Sequence, residues 1–174
     1  MRKIQLPIAE SDLLSLRAFD QVLLSGTIYV GRDQVHSRLF DLLENNQKLP
    51  IVLQGQAIYY MGPSPAPEGF PLGACGPTTS ARMDPFAPRL LDEGLRVMVG
   101  KGPRSEAVIS SIIRNRALYL QAFGGCGALY ASTVRKVETL AFPELGPEAL
   151  LLLEVEDFPV VVAIDSNGTS VFSR

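Results

Sequence analysis

Nine consecutive residues, Gly76-Pro77-Thr78-Thr79-Ser80-Ala81-Arg82-Met83-Asp84, hold a rigid turn, three hydroxyls, a cation and a carboxylate. Gly76 and Pro77 read as a loop, and Thr78, Thr79 and Ser80 are helix-starting residues whose hydroxyls can cap free backbone N–H groups. A helix opened there would aim its unpaired amides, its positive dipole end and, one turn on, Arg82 at an anion. The plainer alternative is an N-cap followed by an ordinary surface helix.

A related local order occurs twice more, where an apolar stretch ends in glycine, a basic residue follows and a helix begins: Val30-Gly31-Arg32-Asp33 and Val99-Gly100-Lys101-Gly102. In mixed sheets with crossover helices, such loops gather on one edge of the sheet, where ligands bind. Arg32, Arg82 and Lys101 would then converge. A unit charge pair at ~4 Å is worth about 1 kcal/mol in water and about 4 kcal/mol in a partly enclosed site, so converging cations call for an anion. Arginine offers a planar fork and lysine a point charge, which suits a short dicarboxylate gripped at both ends. The competing arrangement pairs each cation with a neighbouring carboxylate such as Asp33 or Asp84. A phosphate loop is disfavoured, because GxxxxGK[ST] is absent and Gly100-Lys101-Gly102 is too short to wrap a triphosphate. His36, at helical spacing from Arg32, is a candidate proton donor or a structural helix residue. Asp165 reads as a turn former, and Cys126 as a small buried thiol among glycines.

Several elements must place these residues. Residues 2–8 alternate as an opening strand, and Ser11 with Asp12 starts a short helix through Leu16. Residues 22–25 and 27–30 are β-rich with a bulge at Gly26. Val35, Leu39, Leu42 and Leu43 recur at helical spacing, so a helix is expected over residues 33–44. Residues 51–61 read as two short strands around Gln54-Gly55-Gln56. The Pro/Gly-rich residues 62–76 form a long loop of the kind that is more often functional than idle. The motif helix should break at Pro85 and Pro88 and restart before Leu90. A short strand over 97–99, a helix from Pro103 or Ser105 to Asn115, a strand over 117–123 and a helical small-residue segment over 128–132 follow. The last third is strand-rich, with strands over 134–142, 150–156 and 159–165, a tight turn at Ser166-Asn167-Gly168 and a return strand over 169–172. Strands dominate and no repeat or linker is evident, so the chain reads as one mixed β/α domain over residues 1–174.

The composition narrows the function classes. The 174 residues are 47% hydrophobic and 20% charged with net charge -2, which with no Lys/Arg block gives no nucleic-acid footprint. No run approaches the ~18 apolar residues of a membrane span, and the N-terminus lacks the long apolar core of a signal peptide, so a cytoplasmic protein is expected. Cys75 and Cys126 are the only cysteines and His36 the only histidine. That set is too small for a structural zinc or an iron–sulfur cluster, so any metal chemistry is expected from a partner.

Six motifs in chain order carry a resemblance: Gly31-Arg32-Asp33-x-x-His36-x-Arg38-Leu39, Gly76-Pro77-Thr78-Thr79-Ser80-x-Arg82-Met83-Asp84, Gly100-Lys101-Gly102, Gly124-Gly125-x-x-Ala128-Leu129, Glu144-Leu145-Gly146-x-Glu148-Ala149, and Phe158-Pro159 running to Ile164-Asp165 and Asn167-Gly168. Together they resemble the β subunit, or C-terminal domain, of class I iron–sulfur fumarate hydratase and L(+)-tartrate dehydratase. The resemblance implies the swivelling β/β/α three-layer fold. It implies a partner α subunit, in a heterodimer or heterotetramer, that carries the [4Fe-4S] cluster, with fumarate hydration to L-malate as the reaction and tartrate dehydration as the alternative. It further implies that Arg32, Arg82 and Lys101 bind substrate carboxylates and that Thr78 moves the proton, with Asp33, His36, Thr79, Asp84 and Gly125 as supporting positions. A domain of this fold that binds anions or assembles without catalysing is the alternative outside enzymes. Cys126 departs from the small residue expected after the paired glycines.

Overall fold

The computed structural model describes residues 1–173. Strands β1 (Arg2–Leu6), β2 (Gln21–Val30), β3 (Ala57–Tyr59), β4 (Val97–Gly100) and β5 (Leu118–Gln121) run parallel in that order. The final strand β7 (Leu150–Ile164) is antiparallel to β2, β5 and β6 (Val134–Ala141). Because β7 pairs with β2 along one side and with β5 along part of the other, the pairings β2-β3-β4-β5-β7 close on themselves. Helices α1 (Glu10–Ser15), α2 (Asp33–Glu44), α3 (Ala87–Asp92), α4 (Glu106–Asn115) and α5 (Gly127–Thr133) complete the domain. No described helix is long and apolar enough to cross a membrane.

Alternation along the central strands divides the apolar side chains between two cores, as the period of 2 requires. Ala57 and Tyr59, Val97 and Val99, and Leu118 and Leu120 point to one core, shared with Leu153, Val155, Phe158, Val160 and Val162 of β7. Ile58, Met98 and Tyr119 point to the other, which Val35, Leu39 and Leu43 of α2, Leu90 and Leu91 of α3, and Val108 and Ile112 of α4 cover. The layers are therefore sheet, sheet and helices, the β/β/α order expected. Each fully buried aliphatic side chain of these helices contributes about 1.5–3 kcal/mol, so the helix layer is held by its apolar stripes more than by its caps.

The Gly26 bulge is present as a register shift between Leu24 and Gly26 against β7. Three expectations change. Residues 51–61 hold one strand instead of two, because β3 already has β2 on one side and β4 on the other and leaves no free edge for a hairpin partner. The two strands expected over 150–156 and 159–165 are one continuous strand, β7, which ends at Ile164. Pro159, which has no N–H to give, falls where β6 has ended and β5 has not begun, and its carbonyl accepts from the Tyr130 hydroxyl at 2.8 Å. The return strand over 169–172 shrinks to a single bridge between Ile164 and Ser170. Asp165 explains it: its carboxylate accepts the backbone N–H groups of Asn167, Thr169 and Ala18, which curls the chain into the turn and ties it to the loop before β2.

Candidate active site

The parallel strands deliver their C-terminal ends to one edge, and every cation singled out in the sequence leaves the sheet there. Arg32 follows β2 and immediately precedes α2. Lys101 follows β4, and the Gly124-Gly125 loop follows β5. The loop after β3 returns to the same edge as Thr78-Thr79-Ser80. Thr78 donates its N–H to the Tyr60 carbonyl at 2.7 Å, Thr79 forms a parallel bridge with Lys101, and Ser80 donates its N–H to the Lys101 carbonyl at 2.9 Å.

The motif is thus not the helix start expected. Thr78 and Thr79 are tied through their backbone to the sheet edge, and only Ser80–Met83 coil, as one 3₁₀ turn without a side-chain cap. Pro85 just beyond, lacking an N–H, helps keep that turn from lengthening into an α-helix. Ser80 points inward, with its Oγ 2.8 Å from the hydroxyl of Tyr119, which donates to the Gly102 carbonyl at 2.7 Å. Gly100 makes room for it: a Cβ at that position would stand 2.0 Å from Ser80 Oγ. Thr78 is left half-buried at the edge and Thr79 exposed.

The cations differ in what holds them. Arg82 is exposed and places Nε and Nη2 on Asp33 Oδ2 at 3.0 and 2.5 Å. Arg32 binds Glu148 Oε1 through Nε at 3.0 Å and through Nη2. It lies against the loop leaving β3, since a Cβ at Gly62 would come within 2.7 Å of Arg32 Cζ. Among the described residues Lys101 makes no ion pair. Its ammonium borders Gly124, where a Cβ would be 3.6 Å from Nζ. Gly125 sits beyond it at a φ of 77°, in the left-handed region that suits glycine. Cys126 precedes α5 and is half-buried, and Gly127 packs against Cys75 and Gly76, so the glycine loop touches the start of the motif.

Two supporting positions lie elsewhere than expected. Asp84 faces inward: one carboxylate oxygen accepts from Arg104 Nε and the other from the Ser105 N–H, each at 2.7 Å. Arg104, missed in the sequence, has a side chain with no exposed surface and stacks between Tyr119 and Tyr60, its Cζ 4.8 and 5.3 Å from the ring centroids. It follows Gly100-Lys101-Gly102-Pro103, so the glycine-lysine stretch was its only signal. His36 is fully buried against Tyr60, with Nδ1 2.8 Å from the Arg32 carbonyl and Nε2 without a partner. Burial lowers its pKa to about 4, so it is neutral near pH 7 and out of reach of a ligand. Glu148, quoted only as part of a motif, is the other residue missed.

This edge holds two arginines paired with carboxylates of this chain, Arg32 with Glu148 and Arg82 with Asp33, which is the competing arrangement for those two cations, and a Lys101 without an ion pair among the described residues. It does not offer a cluster site. The Cys75 thiol is buried, its pKa pushed up to about 12 by burial, and it donates to the Gly73 carbonyl. Among the described residues no three His, Cys, Asp or Glu side chains gather as a metal site.

Comparison with known proteins agrees with the motif order. The profile described as Fumarase C-terminus matches residues 1–174. A protein named class I fumarate hydratase, anaerobic, of Escherichia coli is 39% identical over 153 residues, covering 87% of this chain and 28% of that protein. A putative class I fumarate hydratase of Geobacillus stearothermophilus is 35% identical over 173 residues, 97% of this chain and 33% of its own length. A putative L(+)-tartrate dehydratase subunit beta of Methanocaldococcus jannaschii is 36% identical over 173 residues, 96% of this chain and 89% of its length. The chain therefore spans under a third of the fumarate hydratases it matches and nearly all of a separate β subunit. With its fold, the order of its motifs and a family match over residues 1–174, this chain belongs to the fumarase C-terminus family.

Proposed function

We propose that this chain is the β-subunit part of a class I hydro-lyase that adds water across fumarate to give L-malate. The backbone of the motif supports the reading: Thr78 is bonded to the Tyr60 carbonyl and Thr79 bridges to Lys101, which brings both threonines to the edge where Arg32 and Arg82 also emerge. The two arginines and Lys101 grip the carboxylates of the substrate, and Thr78 handles the proton on the carbon next to the one bearing the hydroxyl. A threonine hydroxyl is a weak base, so that step requires the nearby cations and a carboxylate from outside this chain. The iron–sulfur cluster belongs to an α subunit, since the donors here do not fit one. The relation of this chain's length to the Methanocaldococcus protein favours a second reading, L(+)-tartrate dehydration with the same clamp.

Anaerobic co-purification with the cognate α subunit, followed by assay on fumarate and on L(+)-tartrate, tests both. Turnover of fumarate is expected. Activity on neither substrate overturns the enzyme reading, and full activity of this chain alone overturns the split site.

A further inference from the structure

The turn Pro143–Glu148, between β6 and β7, lies far from the substrate motifs in sequence yet is fastened to the first half of α2. Glu148 binds Arg32, Glu144 binds Arg38 at 2.9 Å, and Arg38 Cζ stands 5.5 Å from the centre of the Phe142 ring. The outer pair is exposed and contributes little. The inner pair is different, because its side chains are 28% and 31% exposed and one of its members is the proposed carboxylate ligand.

We propose that Glu148 is a positioning residue for Arg32, an inference that rests on the dicarboxylate reading of this edge. A guanidinium has five N–H groups arranged as two forks. Glu148 Oε1 takes Nε–H and one Nη2–H, which leaves the Nη1/Nη2 fork open in a fixed plane. That fork matches a carboxylate bidentately. Without Glu148 the arginine gains rotamers that substrate must freeze, which weakens binding. Loss of the nearby negative charge acts oppositely and strengthens it, so the sign of the change in KM separates positioning from neutralisation.

The experiment uses the complex reconstituted with its α subunit. Glu148→Ala is expected to raise the KM for the dicarboxylate about tenfold, the scale of the rotamer freedom one long side chain loses on immobilisation, with kcat within about threefold. Glu148→Gln, which keeps an acceptor, should fall between it and the native protein, and it carries the test if Glu148→Ala does not fold. A KM unchanged or lowered in the variant that folds overturns the proposal. If the native complex turns over neither substrate, the functional reading fails separately, and NMR of this chain decides the inference: the Arg32 Nε–H signal should exchange slowly in the native protein and quickly in Glu148→Ala, and fast exchange in the native protein overturns it.

Discussion

Arg82 and Asp33, 49 residues apart, meet through two N–H groups on one carboxylate oxygen, at 3.0 and 2.5 Å. The pair ties the 3₁₀ turn of the motif to the first turn of α2. Asp33 also stands in the first turn of α2, where its charge is favoured by the helix dipole.

Removal of this arginine should therefore separate function from stability. The pair is 54% and 37% exposed, so its loss should cost less than about 1 kcal/mol. Arg82→Ala is expected to lower turnover of the reconstituted complex at least about 100-fold, as the loss of a carboxylate ligand should, with urea unfolding nearly unchanged. Unaltered turnover would remove Arg82 from the clamp.

The Arg104–Asp84 pair predicts the opposite balance. Arg104 is enclosed by Tyr60, Tyr119 and Met98, and its guanidinium stays charged. Asp84→Ala would strand a buried cation and should destabilise the domain by about 3 kcal/mol. Chemical denaturation of the single variant and of Asp84→Ala with Arg104→Met measures this. The double variant should recover part of the loss, and no recovery would show that packing, not charge, dominates.

His36 makes stability depend on pH. Its folded pKa of about 4 lies below the ordinary 6.5, so below pH 6.5 the unfolded chain binds a proton that the folded chain refuses. The stabilisation from neutral, buried His36 is complete above pH 6.5 and is lost as pH falls toward 4. Between pH 7.5 and 4.5 the native protein should lose about 2 kcal/mol through this group. His36→Leu should remove that increment from the difference between urea titrations at the two pH values. An identical pH dependence in the variant would assign it to other groups.

Gly100 offers a steric test of the motif's position. The Cβ of Gly100→Ala would collide with Ser80 Oγ, at a cost of about 1–3 kcal/mol typical of overpacking. Moving Ser80 would shift Thr78 and Thr79 with it and lower turnover. Adding Ser80→Ala removes the nearer of the two colliding atoms and leaves the Tyr60 ring, whose Cδ2 would stand 2.8 Å from the new Cβ, so the double variant should recover only part of the loss. Thermal unfolding of the native protein, the single variant and the double variant gives the comparison.

Much of the fold was legible because local chemistry and period agree. Val35, Leu39 and Leu43 specify α2, and Ser105 caps α4 through the Val108 N–H. Chemistry-bearing positions were visible for the same reason: glycine followed by a cation after a short apolar strand marks a sheet-to-helix crossing whichever strands neighbour it.

Pairing was not legible. Whether residues 51–53 form a strand depends on the edges of β3, and whether Pro159 ends β7 depends on where β6 and β5 stop. Within the site, sequence alone determined the residue types, Arg32, Thr78, Arg82 and Lys101, and the small cysteine and histidine count. Tertiary structure decided their partners: Glu148 beneath Arg32, Asp33 beneath Arg82, Arg104 rather than a ligand against Asp84, and His36 turned into the core. The physical reason is that a side chain's type is local, whereas which charge or hydroxyl it meets depends on strands and turns brought together across 20 to 116 residues of chain.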